Sequence, residues 1–149
     1  MSEATAPGAV RIERVLQAPP DRVFAAWTDP ASLGRWLSPV GRAEAEIEPW
    51  VGGRIRVTMI GPGVRIEHTG AYREVVPGRR LVFTWQSPYT GPGTSLVTIL
   101  LEPRGAGTAL TLVHEQLSAD QVESHGGGWS RILDRLAVDL ASAGRAGGS

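Results

Sequence analysis

The 149-residue chain has no cysteine, which excludes disulfides, thiolate metal sites and a cysteine nucleophile. It also lacks any apolar run long enough to span a bilayer, and residues 1–9 carry neither the basic start nor the hydrophobic stretch of a signal peptide. A cytoplasmic protein without membrane contact is expected. An excess of one charge is missing too: fifteen acidic residues balance fifteen basic ones and neither sign forms a run, so no surface is marked for nucleic acid or another polyanion. His68, His114 and His125 are not at metal-ligand spacing and no carboxylate repeats beside them. Neither a metal nor another cofactor is expected. No serine sits in a nucleophile-elbow sequence, Gly52-Gly53 reads as a hairpin turn, and Gly126-Gly127-Gly128 lacks the strand and the lysine of a phosphate loop. A helix N-terminus at that last point can still attract an anion.

What is present is the pattern of one globular domain, expected over residues 9–143 with flexible ends at 1–8 and 144–149. Val10 to Leu16 alternates as a first strand, after which Pro19-Pro20-Asp21 supplies the fixed φ and negative charge of a helix's first turn. Val23, Phe24 and Trp27 form that helix's buried face. Thr28-Asp29-Pro30 breaks it, and a shorter helix carries Leu33, Trp36 and Leu37 until Pro39. From 42 to 116 the period is two. Ala43, Ala45 and Ile47 alternate with Glu44, Glu46 and Glu48, and Ile55, Val57 and Met59 alternate with Arg54, Arg56 and Thr58. Matching Glu48 with Arg56 and Ile47 with Val57 predicts a turn at Val51-Gly52-Gly53 with a glycine at positive φ. Strands are predicted at Val64–Val75, Leu81–Gln86, Leu96–Glu102 and Ala109–Glu115, with turns at Pro77-Gly78, residues 88–93 and residues 104–107.

The last thirty residues change period. A helical stretch opens at Ser118, His125 and the three glycines interrupt it, and then Trp129, Ile132, Leu133, Leu136, Ala137 and Leu140 recur at intervals of three and four, with Arg131, Asp134, Arg135 and Asp139 on the other side. The expected fold is α+β: a curved antiparallel sheet wrapped around one long C-terminal helix, with two short helices after the first strand.

Several motifs converge on one family. Ala18-Pro19-Pro20-Asp21-Arg22-Val23-Phe24-Ala25-Ala26-Trp27-Thr28-Asp29-Pro30, Arg35-Trp36 with Pro39, Glu48 to Arg54 with its paired glycines, Gly70-Ala71-Tyr72, Arg80 to Trp85, and His125 with Gly128-Trp129 together resemble the heat-shock-protein-90 ATPase activator homologue family. That family belongs to the START-like, or SRPBCC, superfamily of helix-grip domains, and the resemblance covers about residues 10–142. Many members carry a second tryptophan where this chain has Leu37, and an acidic-x-Arg pattern where it has Glu48-Pro49-Trp50.

A sheet gripping a helix encloses a cavity lined from its inward positions. By parity and by the resemblance, the ligand-contacting set is Trp36 as a lid, Val57, Met59, Ile66, His68, Tyr72, Phe83, Trp85, Val97, Ile99, Leu112, His114, Trp129 and Leu133. His68 and His114 are expected to converge on a polar spot, and His125 to serve the turn before the helix. Three functions follow: binding of a small hydrophobic molecule, aromatic, lipid-like or polyketide-like; a cyclase, aromatase or hydrolase using His68, His114 or Tyr72 as acid or base; or a stress-response, co-chaperone-like module with a protein partner or a homodimer. Glu67 and Glu115 adjoin the histidines in sequence but point to the other face, which leans against catalysis.

Overall fold

The computed structural model describes residues 8–88 and 94–147. Strand β1 (Val10–Leu16) leads into helices α1 (Pro20–Trp27) and α2 (Pro30–Trp36). Both helices begin with proline at the first position, where no intrahelical N–H is needed, and the Asp29 side chain caps α2 by accepting from the Ala31 amide. Then come β2 (Arg42–Ile47), β3 (Arg54–Gly61), β4 (Val64–Val76), β5 (Arg80–Trp85), β6 (Ser95–Arg104), β7 (Gly107–Glu115), a single 3₁₀ turn (Ala119–Gln121) and helix α3 (Val122–Gly147). All seven strands join one antiparallel sheet in the order β1-β7-β6-β5-β4-β3-β2. The α+β helix-grip architecture expected from the sequence is thus the one observed. The turn expected at 88–93 lies, from residue 89 onward, outside the described residues, as do 1–7 and 148–149. Gly8 is tied down, its carbonyl accepting from the Leu117 amide, and the expected domain end at residue 143 falls inside α3.

The hairpin between β2 and β3 corrects the expected pairing by two residues. Ile47 faces Ile55 and Glu46 faces Arg56, while the Glu48 carboxylate accepts from the Arg54 amide instead of meeting Arg56. A shift of two preserves the faces, so the charges still meet on the solvent side. Arg56 lies 3.7 Å from Glu46 and hydrogen-bonds Glu67, exposed pairs that contribute well under about 1 kcal/mol each. Gly52 takes the positive φ (+87°) that the turn requires. Gly70 answers a different need: a Cβ there would stand 1.8 Å from the Thr84 carbonyl oxygen, so only glycine lets β4 approach β5 this closely.

Helix α3 differs from expectation in one respect that matters for function. It is continuous from Val122, and Gly126, Gly127 and Gly128 lie within it instead of interrupting it. Glycine weakens a helix by only about 1 kcal/mol per residue, which packing against β1 and the sheet overrides. Trp129, Ile132, Leu133, Leu136 and Leu140 are buried as one stripe, whereas Ala137 is exposed. On the opposite side of α3, Arg35 of α2 makes two hydrogen bonds to Asp139, at 2.7 and 3.2 Å. Arg135 donates to three backbone carbonyls, that of Arg35 at the end of α2 (3.2 Å) and those of Ser38 (2.5 Å) and Gly41 (2.6 Å) in the segment joining α2 to β2. Arg135→Ala is expected to cost about 1–3 kcal/mol, because three carbonyls lose a charged donor. Amide exchange at residues 38–41 should rise more than exchange in the sheet.

Candidate functional site

Between sheet and helix lies an apolar cavity of about 260 Å³ lined by Pro39, Met59, Ile66, His68, Trp85, Ser124, His125, Gly128, Trp129 and Ile132. Three elements build it. Strands β3, β4 and β5 bring Met59, Ile66, His68 and Trp85 by their inward alternation; one face of α3 brings Ser124, His125, Gly128, Trp129 and Ile132; and the segment that Arg135 holds brings Pro39. Apolar atoms dominate the wall, with two imidazoles and one hydroxyl as polar handles, the makeup expected of a small-molecule site.

His68 is the group most in need of a partner. It is 6% exposed, its ring stacks on Trp85 with centroids 4.6 Å apart, and its Nδ1 is buried without any hydrogen-bond partner in the protein. Burial, and next the charge of His125, push its pKa down to about 4, so it is neutral at pH 7. A neutral imidazole offers one donor and one acceptor. Nδ1 is closed off from the free space of the cavity, so a molecule held there is left the Nε2 side of the ring.

His114 is the opposite case, and it corrects the expectation that the two histidines share a spot. It is fully buried, off the cavity wall, and satisfied on both nitrogens. Trp129 Nε1 can only donate, so Nδ1 of His114 must accept (2.9 Å). That fixes the proton on Nε2, which donates to Ser95 Oγ (2.7 Å), and the Ser95 hydroxyl in turn donates to the Trp85 carbonyl. The chain of bonds runs from α3 through β7 and β6 to β5 and staples helix to sheet. Burial, then the charges of His125 and His68, lower the His114 pKa to about 3.

Tyr72, the third candidate acid or base, is also buried. It borders a void of only about 10 Å³ with Trp27, Leu33, Leu37, Ile47, Ile55, Val57, Phe83 and Trp85, and desolvation raises its phenol pKa. It does not reach the cavity. Trp36 is not a lid: it is 0% exposed, packs edge-on against Trp27 with centroids 4.8 Å apart, and donates to Ser32 Oγ. Val57, Phe83, Val97, Ile99, Leu112 and Leu133 likewise fill the core away from the cavity wall.

Of the expected set, the structure brings Met59, Ile66, His68, Trp85 and Trp129 together. Pro39, Ser124, His125, Gly128 and Ile132 are additions. His125 is the important one: it sits inside α3, its ring lies 5.4 Å from His114, and its Nδ1 is bonded to the Gln121 carbonyl. The signal was in the sequence. Positions 125, 129 and 132 continue the helical spacing of the apolar stripe upstream, provided the glycines are read as helical. Among the described residues, no group of histidine and acidic side chains is placed to hold a metal ion, and no helix is long and apolar enough to cross a membrane.

The model of the family described as activator of Hsp90 ATPase homolog 1-like protein matches residues 17–141. Among solved structures, a protein of Chromobacterium violaceum is 32% identical, with a TM-score of 0.76, and the match covers 89% of this chain and 96% of that one. CalU16 from Micromonospora echinospora is 29% identical with a TM-score of 0.71, covering 89% of this chain and 73% of that one. A protein of Arthrobacter aurescens shares the fold at 22% identity, with a TM-score of 0.82 over 95% of this chain and 90% of that one. No curated protein matches the chain significantly.

Proposed function

Because the chain belongs to the activator of Hsp90 ATPase homolog 1-like family, of SRPBCC type, we propose that it binds a small, largely apolar aromatic molecule in the cavity between the sheet and α3. The observation that carries this reading is an apolar cavity of about 260 Å³ whose wall brings the His68 imidazole together with Trp85 and Trp129. Size narrows the ligand. A cavity of about 150 Å³ accommodates benzene, so this one suits one ring or two fused rings rather than a long acyl chain or a four-ring polyketide. Trp85 and Trp129 offer ring faces, and His68 offers a hydrogen bond to an oxygen.

Two alternatives are less well supported. Acid–base catalysis calls for a group that orients the imidazole, and His68 has no carboxylate beside it on the cavity wall. Protein docking has Trp50 and Val51 in its favour, exposed at the turn between β2 and β3. Two side chains are far short of the several hundred Å² of a docking patch.

Native mass spectrometry of freshly purified protein should reveal a co-purifying molecule of one- or two-ring size. Titration with a panel of such compounds should change tryptophan fluorescence saturably, since two indoles line the wall. Gly128→Leu provides the control. A Cβ at that helical position meets nothing within 4 Å, so the new side chain has room to enter the cavity while helix propensity improves by about 0.8 kcal/mol. The variant is expected to be at least as stable as the parent and to lose binding. A parent protein that binds no member of the panel, or a variant that binds unchanged, would overturn the reading.

A further inference from the structure

We propose that the cavity's ligand is an amphipathic aromatic acid, bound with its anionic group between His68, His125 and the first turn of α3 and its ring against Trp85 and Trp129. The inference rests on the reading of this cavity as a ligand site and adds the charge of what it takes.

Three independent features point the same way. The first is the composition of the wall: its ionisable side chains are both imidazoles, and none of its ten residues is acidic. The carboxylates nearest in sequence are placed elsewhere. Glu67 is committed to Arg56 on the outer face, Asp120 in the 3₁₀ turn and Glu123 in the first turn of α3 are exposed, and Glu115 is off the wall. The second is His68, more than nine-tenths buried on that wall, with no acidic side chain beside it there to pair with. The third is position: Ser124 and His125 lie in the first turn of a 26-residue helix, where aligned peptide dipoles favour negative charge.

The energetics are consistent with an acid. Burial and the charge of His125 both oppose the His68 cation. A carboxylate between the two rings supplies the absent countercharge, and it accepts from either imidazole without requiring a second donor from the protein. His125 has Nδ1 fixed on the Gln121 carbonyl, which leaves Nε2 as its remaining polar atom. A neutral ligand would gain one hydrogen bond from His68 and nothing from the pairing of charges.

Three probes of nearly equal size separate this inference from the one beneath it: 2-naphthoate, 2-naphthamide and naphthalene, titrated at pH 7 with tryptophan fluorescence as the readout. The expected result is that naphthoate binds at least about tenfold more tightly than the amide, and that His125→Gln and His68→Phe each reduce this preference to about threefold or less, with circular dichroism unchanged. His125 is only partly buried, so its variant carries the test if His68→Phe fails to fold. Equal or tighter binding of the amide or of naphthalene overturns the acid and leaves the cavity reading standing. Binding of none of the three overturns both. A preference for naphthoate that survives both substitutions overturns the assignment to these histidines.

Discussion

Acidification from pH 7 to pH 4 is expected to remove on the order of 5 kcal/mol of stability through two buried histidines. His68 and His114 have folded-state pKa values lowered to about 4 and about 3, both by burial first, against an ordinary value of 6.5. Lowered values mean that the unfolded chain binds protons more readily than the folded one once the pH drops below about 6.5. The contribution of each histidine is therefore complete above that pH and is lost as the pH falls toward its folded value. Each contributes a slope of about 1.4 kcal/mol per pH unit, so the pair reaches roughly 2.7 kcal/mol per unit near pH 5. A typical domain has only about 5–15 kcal/mol in all. Urea unfolding at several pH values between 7.5 and 4 reads the slope directly. His68→Phe should flatten it by about one proton with little change at pH 7.5, because its Nδ1 has no bond to lose. His114→Phe should flatten it as well, but from a lower starting stability, since Trp129 and Ser95 lose their partner. A slope unchanged in both variants would show that the two rings do not titrate as their burial dictates.

Trp129→Ala is expected to lower stability by about 3–5 kcal/mol at neutral pH. The indole is 3% exposed, lies between Trp27 and Trp85 at centroid distances of 6.4 and 6.1 Å, and donates to His114. Its removal leaves a void and an unsatisfied imidazole at once. Trp129→Phe separates the two effects: it retains an aromatic ring in the stack and deletes the N–H, so a cost of about 1–3 kcal/mol is expected, most of it from the stranded His114 nitrogen. Denaturant midpoints of the two variants should fall in that order. A loss below about 1 kcal/mol for the alanine variant would mean that α3 is not clamped to the sheet through this residue.

The placement of the histidines shows how far alternation along a strand can go. Parity put His68 and His114 on the inward face, and both are indeed buried. Parity cannot tell a wall from a core, because that depends on which residues of a third element stand opposite. His114 faces Trp129 and is consumed by it; His68 sits where α3 presents Ser124, His125 and Gly128, small or polar groups that leave space. The same limit explains Tyr72, Phe83, Val97 and Ile99, inward by period and yet remote from the cavity. Trp36 was legible as part of the short helix and was expected as a lid, whereas its burial against Trp27 depends on how α1 and α2 pack.

The sequence by itself determined the element order, the faces of the strands, the two proline-started helices, the buried stripe of α3 and, through its motifs, the family. These are local or periodic properties, written within a few residues of where they act. Tertiary structure alone decided the exact register of the first hairpin, the continuity of α3 through three glycines, and the sorting of two similar histidines into a structural staple and an open site. The last two depend on contacts between residues far apart in the chain, and the hairpin turn is itself bonded to Tyr72 of β4. Packing energies there exceed the local preferences of about 1 kcal/mol per residue that a sequence displays.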